Sequence, residues 1–269
     1  MHLAMQELRE LEPDFVSVTS STANGARLQS TALAKLIKER FTLEPLTHLT
    51  CITYSREDVS VIAEQLRVSG LENILALRGD MQSGHVQSRD YLHACELVKQ
   101  LRGLGGFCVG VAAYPEKHPE SPSFAADMEQ LKRKIDEGAD FAITQLFFDN
   151  DSYFSFVERC RKAGIKVPII PGIMPITSYV QVQKFARMCN VNVAPSMAAT
   201  LEGMKDDRAA VVSYGMDFAL KQSRALLSWG APGIHFYTLN KSAATRKILG
   251  ELRRQYPASR TVKPGVCNR

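Results

Sequence analysis

The sequence lacks the features of a membrane-bound or exported protein. None of its 269 residues lies in an apolar run approaching the ~20 residues that a membrane-spanning helix needs. The first residues, MHLAMQELRELEP, mix charges with leucines and lack the apolar core of a signal peptide. We therefore expect a cytoplasmic protein that does not bind a membrane.

Motifs for several common catalytic and metal sites are also missing. The six histidines show neither an HExxH pattern nor another paired spacing, and the six cysteines form no CxxC pair. We therefore expect no metal site, and buried, reduced thiols rather than disulfides. No GxSxG or P-loop motif occurs, and no GxGxxG turn follows the first predicted strand. The last absence disfavours an open dinucleotide-binding sheet.

Positive charge is concentrated at one end of the chain. The net charge is +5, but residues 241–269 alone carry eight lysines and arginines against one acid. The rest of the chain is therefore slightly acidic. A nucleic-acid-binding domain spreads basic charge over a folded face, so we expect a solvated basic terminus and no nucleic-acid partner.

Apolar segments rich in β-branched residues alternate with amphipathic ones. We predict strands at 14–19, 47–53, 73–78, 107–114, 141–148, 167–173 and 233–239. We predict helices at 58–69, 90–102, 122–137, 150–163 and 177–189, with a longer helical insertion at about 199–229. Apolar strands that alternate with helices indicate a parallel sheet covered by helices.

The seven predicted strands are one fewer than a closed (β/α)8 barrel needs. The chain instead begins with a helical pattern, in which Met1, Met5 and Leu8 share an apolar face. We predict an α/β fold, a (β/α)8 TIM barrel whose first strand is missing from this chain. Residues 1–250 are expected to form a single domain that starts at its first helix, followed by a basic C-terminal tail at 251–269.

Candidate functional residues collect where the predicted strands end, because parallel barrels carry their active sites at the carboxyl ends of strands. These residues are Thr19, His48, Arg78, Gly79, Asp80, Tyr114, His118, Gln145, Asn240 and Lys241. Gly79 lies between a cation and an anion and could let the backbone approach a ligand closely. An Arg-Gly-Asp sequence is also a common turn, and both interpretations stay open.

The predicted helix 122–137 carries a polar stripe beside its apolar one. Asp127, Gln130 and Lys134 recur at spacings of three and four, with Arg133 at the edge. An acid, an amide and two cations suit the hydroxyls and phosphates of a nucleotide. A solvated surface face with ion pairs is the alternative.

Three further residues have both a structural and a functional interpretation. Gln145 interrupts an apolar strand, so its amide either braces the core or meets a ligand. Phe185 shares a helix face with Val182 and Cys189, which packing alone explains, and Gln181 lies off that face.

Seven segments together resemble the methylenetetrahydrofolate reductase family, flavin enzymes that reduce 5,10-methylenetetrahydrofolate to 5-methyltetrahydrofolate. The segments are FVSVT (15–19), THLTC (47–51), LALRGD (75–80), VAAYPEKHPE (111–120), LKRKIDEGADFAITQLFFD (131–149), IIPGIMPI (169–176) and HFYTLN (235–240). They follow in the family's order over about residues 5–250.

The resemblance implies a (β/α)8 barrel that binds FAD across the carboxyl ends of its strands. It implies NAD(P)H as co-substrate, a reduced folate as substrate, ping-pong hydride transfer through the flavin, and a homo-oligomer. The residues that match flavin-site positions are Thr19, His48, Arg78, Gly79, Asp80, His93, Ala94, Tyr114, His118, Asp127, Gln130, Arg133 and Lys134. Gln145, Gln181, Phe185 and Lys241 match substrate positions, and Asp80 matches the catalytic aspartate beside the flavin's pyrimidine end.

The sequence departs from the family pattern in three places. The family begins with a strand like FEFFPP, whose glutamate protonates the folate, and no such segment occurs here. Ser20-Ser21-Thr22 replaces a loop usually richer in glycine or aromatic residues, and Lys241 stands where arginine is expected. Two alternatives therefore stay open: a non-catalytic or partner-completed flavin- or folate-binding subunit, and a phosphate-binding barrel enzyme without flavin.

Overall fold

A computed structural model describes residues 2–19, 26–80 and 87–256 of the chain. Its strands are β1 (Val16–Val18), β2 (Pro45–Thr50), β3 (Asn73–Leu77), β4 (Cys108–Ala113), β5 (Phe141–Leu146), β6 (Ile169–Ile173) and β7 (His235–Phe236). Its helices are α1 (His2–Arg9), α2 (Ala26–Phe41), α3 (Arg56–Val68), α4 (Ala94–Leu104), α5 (Phe124–Asp136), α6 (Asn150–Lys162), α7 (Tyr179–Cys189), α8 (Pro195–Gly203), α9 (Arg208–Trp229) and α10 (Ala243–Gln255). Every predicted strand is confirmed.

The strands follow one another in the sheet in sequence order, β1 to β7. Neighbours pair in parallel, for example His48 of β2 with Leu75 of β3 and Gly172 of β6 with His235 of β7. Parallel neighbours need a crossover, and the intervening helices supply it. This is the α/β fold of a (β/α)8 barrel with seven strands in the described residues, as predicted.

Two helical segments begin about four residues from their predicted starts, and both starts follow from local capping. Helix α4 begins at Ala94 rather than at 90, because Glu96 accepts a hydrogen bond from the His93 backbone N–H at 2.8 Å. The helical insertion begins earlier than predicted, at Pro195, since proline is well suited to the first helical turn. It contains two helices, and the Asp207 side chain caps the second.

The chain divides into two compact units. We call the first the β1–β3 unit, which lies within Glu12–Ala112 and Gln130–Ala142. The β6–β7 unit lies within Met1–Leu11, Ala113–Glu129 and Ile143–Ser259. The single domain at 1–250 and the tail at 251–269 stay predictions, and most of that tail lies outside the described residues.

The interior of the β1–β3 unit is closed by an aromatic ring over a glycine. A β-carbon on Gly110 would lie 2.3 Å from the ring of Phe141, so no larger residue fits there. Beside it, the Asp140 carboxylate accepts a hydrogen bond from the Val109 N–H at 2.7 Å and pairs with Arg102. Together these contacts fix the start of β4.

The interior of the β6–β7 unit contains a similar close approach. A β-carbon on Gly172 would lie 2.6 Å from the ring of Tyr237, whose hydroxyl donates to the Thr144 carbonyl at 2.8 Å. An apolar cluster that includes Leu146, Met174 and Val182 is buried in the same unit. Within the unit, helix α1 contacts α10.

The cysteines mostly behave as predicted. Cys51, Cys95, Cys160 and Cys189 are buried free thiols. The prediction is wrong for Cys108, which takes part in a disulfide bond. Within the described ranges, no helix combines the length and apolarity needed to cross a membrane.

Candidate functional site

The carboxyl ends of β1, β2 and β3 bring several predicted residues together in the β1–β3 unit. Val18 is paired with Thr47, so the next positions along the two strands are Thr19 and His48. His48 is in turn paired with Leu75 of β3, and Arg78, Gly79 and Asp80 follow that strand. The predicted turn after Thr19, Ser20-Ser21-Thr22, lies outside the described residues.

His48 carries an unsatisfied polar atom. Its Nε2 is buried and has no hydrogen-bond partner in the described part of the chain. Burial lowers the pKa of His48 from 6.5 to about 4, because an imidazolium ion is poorly solvated there. The ring is therefore neutral at neutral pH and can exchange one hydrogen bond with a ligand heteroatom. A buried polar atom without a partner costs free energy that such a ligand would recover.

Gly79 is required by the packing of the chain itself. Its φ is +87°, and a β-carbon there would lie 3.0 Å from Cβ of Thr50. The Arg78 carbonyl accepts a hydrogen bond from the Ile52 N–H at 2.8 Å, which holds this turn against the end of β2. The next residue, Asp80, is exposed at the end of the turn. The tight turn thus presents a carboxylate at the carboxyl edge of the sheet.

The predicted polar stripe of α5 makes specific contacts. Lys134 donates from Nζ to the Ala112 carbonyl at 2.5 Å, near the end of β4. The Arg133 guanidinium lies 3.8 Å from the Glu96 carboxylate, in the first turn of α4. Ala94, at the start of that helix, is buried. The alternative of a wholly solvated face is therefore wrong for Lys134.

His93 and Gln130 complete the predicted set in this unit. His93 is the exposed residue that precedes α4, and its backbone N–H is satisfied by Glu96. Gln130 lies on α5 and is half-buried.

In the β6–β7 unit, the loop after β4 brings Tyr114, His118 and Asp127 together. The rings of Tyr114 and His118 meet edge to face, with centroids 4.6 Å apart. The backbone N–H of His118 donates to the Asp127 carboxylate at 3.3 Å. The ring Nδ1 of His118 accepts from the backbone N–H of Glu120 at 3.1 Å. Nδ1 is thus the acceptor nitrogen, which leaves Nε2 to carry the proton of a neutral ring.

Glu116, in the same loop, is a residue that the sequence analysis did not single out. One carboxylate oxygen accepts a hydrogen bond from the Asn192 N–H at 2.5 Å, and the other is buried without a hydrogen-bond partner among the described residues. Burial raises the pKa of Glu116. No local sequence pattern marks this residue, because its hydrogen-bond partner Asn192 is distant along the chain.

The four predicted substrate residues divide into two groups. Gln181 and Lys241 line one cavity of about 220 Å³ in the β6–β7 unit, together with residues that follow β6 and β7. Gln145 and Phe185 do not line it. The amide oxygen of Gln145 accepts from the Leu146 N–H at 2.9 Å, and Phe185 packs against the buried apolar cluster.

Parallel strands that follow one another in sequence order, with candidate side chains at their carboxyl ends, are typical of α/β-barrel enzymes. The sequence model of the family described as "Methylenetetrahydrofolate reductase" matches residues 1–253. The chain belongs to this family and is an oxidoreductase of the methylenetetrahydrofolate reductase type.

Individual relatives agree with this assignment. The chain is 43% identical to a 5,10-methylenetetrahydrofolate reductase of Pectobacterium carotovorum subsp. carotovorum over 91% of this chain and 82% of that protein. It is 41% identical to the Escherichia coli (strain K12) protein of the same name, with the same coverage. An Arabidopsis thaliana "Methylenetetrahydrofolate reductase (NADH) 1" is 35% identical over 92% of this chain and 44% of its own length.

A solved structure supports the fold. A Clostridium thermocellum protein, described as binding two copies of 5-methyl-5,6,7,8-tetrahydrofolic acid, superimposes with a TM-score of 0.62. It covers 94% of this chain and 88% of its own, at 14% identity. At that identity the likeness concerns the fold.

Proposed function

We propose that this protein catalyses the FAD-dependent reduction of 5,10-methylenetetrahydrofolate to 5-methyltetrahydrofolate with NAD(P)H. The observation that carries the proposal is the family match over residues 1–253, with 43% identity to a reductase of this name. That match includes the carboxyl ends of all seven strands, where a barrel enzyme binds its ligands.

The residues of the β1–β3 unit fit an FAD molecule. The orphaned Nε2 of His48 offers a buried hydrogen bond to a flavin heteroatom. Within the described ranges, the exposed Arg133 guanidinium forms a single ion pair, at 3.8 Å, and we propose that it also binds a phosphate. We assign Thr19, His48, Arg78, Gly79, Asp80, His93, Ala94, Gln130, Arg133 and Lys134 to this role, and from the β6–β7 unit Tyr114, His118 and Asp127.

FAD, when bound, supplies the two-electron carrier between NAD(P)H and the folate. The exposed Asp80 carboxylate would stabilise positive charge that develops on the folate. It would also disfavour additional negative charge on the flavin. His48 is neutral, so it orients its partner by hydrogen bonding rather than by charge.

We assign Gln145, Gln181, Phe185 and Lys241 to binding the folate and the nicotinamide in turn. Phe185 is partly buried and offers an aromatic face on which a flat ring can stack. Lys241 is exposed at its cavity and can pair with a carboxylate as a point charge. In ping-pong kinetics the first product leaves before the second substrate binds, so a residue can contact both substrates in succession.

The test separates the two half-reactions in the absence of oxygen. The purified chain is loaded with FAD, and the flavin absorbance is followed after mixing with NADH or NADPH, and then with 5,10-methylenetetrahydrofolate. The proposal expects bleaching in the first step and recovery in the second. If the flavin absorbance is bleached by NAD(P)H and does not recover with the folate, the protein is a binding subunit. A chain that binds no FAD contradicts the proposal.

A further inference from the structure

A second cavity of the β6–β7 unit lies beside α9, and aromatic rings form much of its wall. Its volume is about 190 Å³, and Phe148, Tyr214 and Phe218 line it. The rings of Phe148 and Phe218 have centroids 6.4 Å apart, and those of Tyr214 and Phe218 stack with centroids 6.2 Å apart. The three rings therefore form one continuous aromatic wall.

This aromatic cavity is separate from the cavity that contains Lys241. Val212 and Met216 of α9 line the cavity of Lys241. Tyr214 and Phe218, each two positions further along the same helix, line the aromatic cavity. Each residue of an α-helix turns the chain by about 100°, so positions two apart lie about 200° apart around the axis. The two cavities therefore lie on opposite sides of α9.

The lining of the aromatic cavity carries negative charge only. Asp149 is the one charged residue among the described residues that line it, and no lysine, arginine or histidine of the described chain does so. The Asp149 carboxylate accepts a hydrogen bond from the Asp151 N–H at 3.1 Å and is the N-cap of α6. This contact leaves its negative charge facing a cavity without a lining cation.

Glu116 places a second carboxylate next to this cavity. One of its oxygens accepts a hydrogen bond at 2.5 Å from the backbone N–H of Asn192, which lines the cavity. Its other oxygen, Oε1, is buried without a hydrogen-bond partner in the described part of the chain. Burial raises the pKa of Glu116, and the negative charge of Asp149 raises it further. The two carboxylates are therefore close enough to repel each other, and a cation in the cavity would relieve that repulsion.

We propose that the aromatic cavity binds a small organic ammonium ion that carries methyl groups. Such an ion is attracted to the faces of aromatic rings and also presents apolar surface to them. The Asp149 carboxylate pairs with its charge, and Glu116 adds to the negative potential from behind Asn192. The cavity is smaller than the roughly 300–1,000 Å³ of typical ligand pockets, which favours an ion of few atoms.

A metal ion or an anion would fit this cavity less well. Within the described ranges, no group of three or more histidine, cysteine, aspartate or glutamate side chains could hold a metal ion. Aromatic rings also supply none of the oxygen ligands that hard cations require. An anion would meet the charge of Asp149 without a lining cation to offset it.

The experiment measures the binding of choline to the 269-residue chain, with and without FAD, by ligand-observed NMR titration at constant ionic strength. The matched ligand is 3,3-dimethylbutan-1-ol, which has nearly the same shape as choline and no charge. Choline is expected to bind about 10-fold more tightly than the alcohol, through its ion pair and the aromatic rings. Equal affinities for the two ligands would overturn the proposal.

Two aspartates that cap helices provide matched variants. Asp149→Asn removes the charge that lines the cavity, and α6 should keep its start because asparagine caps a helix about as well as aspartate. Asp207→Asn makes the same change at the N-cap of α9, and Asp207 does not line the cavity. The affinity for choline should fall about 3- to 5-fold in D149N and stay at the parent's value in D207N. If D149N binds choline as tightly as D207N, the proposal fails.

A further variant, Phe218→Leu, tests the aromatic wall. It keeps an apolar side chain and removes the ring, so choline should bind about 2- to 5-fold more weakly while the affinity for the alcohol is unchanged. An equal loss for both ligands would show that only the shape of the cavity matters, and would contradict binding of a cation by the rings.

Competition with a folate tests whether the aromatic cavity is a separate site. Saturating 5-methyltetrahydrofolate should leave the affinity for choline unchanged, because α9 separates the two cavities. Displacement of choline by the folate would overturn the proposal and assign the aromatic cavity to the substrate. None of these measurements uses turnover, so a failure of the proposed reductase function would leave their outcomes unaffected.

Discussion

Lys134 donates a hydrogen bond to the carbonyl of Ala112, with 2.5 Å between Nζ and the oxygen, near the end of β4. Its neighbour Arg133 is held differently, 3.8 Å from the Glu96 carboxylate and exposed to solvent. The two cations that we assign to FAD therefore make different contacts within the protein. Lys134 also fixes the end of a strand, whereas the exposed pair of Arg133 contributes little to stability.

Removing both cations should weaken FAD binding. In R133A/K134A the loss is expected to be about 2–4 kcal/mol, if each side chain makes a charge-assisted contact with the cofactor. Lys132 is the matched control, because it lies on the same helix and pairs with Asp136. FAD affinity is measured by fluorescence titration, and K132A should bind as the parent does. A double variant that binds FAD as tightly as the parent would remove this face of α5 from the site.

Two adjacent residues of β2 test whether the orphaned atom of His48 meets the flavin. The hydroxyl of Thr47 is also buried without a hydrogen-bond partner in the described part of the chain. Successive side chains of a strand point to opposite faces, so Thr47 serves as a control that faces away. H48L should weaken FAD binding by roughly 1 kcal/mol, the worth of one hydrogen bond, and T47V should not. Equal effects of the two variants in the same titration would argue against a flavin contact.

His48 should also make stability depend on pH. Its pKa is lowered from 6.5 to about 4 in the folded state, so the folded protein favours the neutral ring. The contribution of His48 to the free energy of unfolding is fully present above pH 6.5 and is lost as the pH falls towards 4. In that range the imidazole is protonated in the unfolded chain but stays neutral in the folded one. The loss is at most about 3 kcal/mol, at 1.36 kcal/mol for each pKa unit. Urea unfolding of the apoprotein at pH 7.5, 5.5 and 4.5 should show the free energy of unfolding falling with pH. In H48L the free energy of unfolding should depend less on pH.

Most of the fold could be predicted from the sequence because its elements are marked locally. The segment 141–148 contains β5, since its apolar run admits only a buried strand between polar turns. Helix α3 begins at Arg56, two residues before its predicted start at 58, because Ser55 and Asp58 form a capping box there. The early start of α8 at Pro195 was missed, because the apolar periodicity used for the prediction begins only later.

The candidate site could be predicted only in part. The position after β3 identified Asp80, whereas His48 lies inside β2, two residues before that strand ends at Thr50. The sequence does not reveal that Nε2 of His48 is buried without a hydrogen-bond partner among the described residues. The need for glycine at 79 comes from Thr50, which is far away in sequence. Glu116 was missed because its role depends on Asn192, another distant residue. Features that depend on such tertiary contacts cannot be predicted from local sequence patterns.

Asp80 should tune the flavin through its charge. The substitution Asp80→Asn keeps the size and removes the negative charge, and folding should survive because the side chain is exposed. The reduction potential of bound flavin is expected to rise, since added electrons no longer face a negative neighbour. Spectroelectrochemical titration of the loaded variant measures it, with the exposed Asp136→Asn on α5 as control. An unchanged potential in Asp80→Asn would leave Asp80 as a turn residue only.

The two half-reactions should respond differently to the absence of an FEFFPP-like segment from the 269 residues. Reduction of the flavin by NAD(P)H needs orientation of the two rings, which Gln145 and Phe185 are proposed to supply. Reduction of the folate also needs a proton, and the glutamate-bearing segment that the family uses to deliver it does not occur in the sequence. A polypeptide of this sequence should therefore be reduced readily but reoxidised at least ~100-fold more slowly than one with a general acid in place.

Two N-terminal extensions separate the acid from the strand that carries it. One adds a strand with glutamate, and the other adds the same strand with glutamine. Anaerobic stopped-flow measurements should show fast reoxidation by 5,10-methylenetetrahydrofolate only with the glutamate strand, because the glutamine strand restores pairing but supplies no proton. If both extensions restore reoxidation equally, the strand matters for geometry and not for acid catalysis. Fast reoxidation of the unextended polypeptide would instead mean that another group donates the proton, and Glu116, whose pKa is raised by burial, would be the first residue to replace with glutamine.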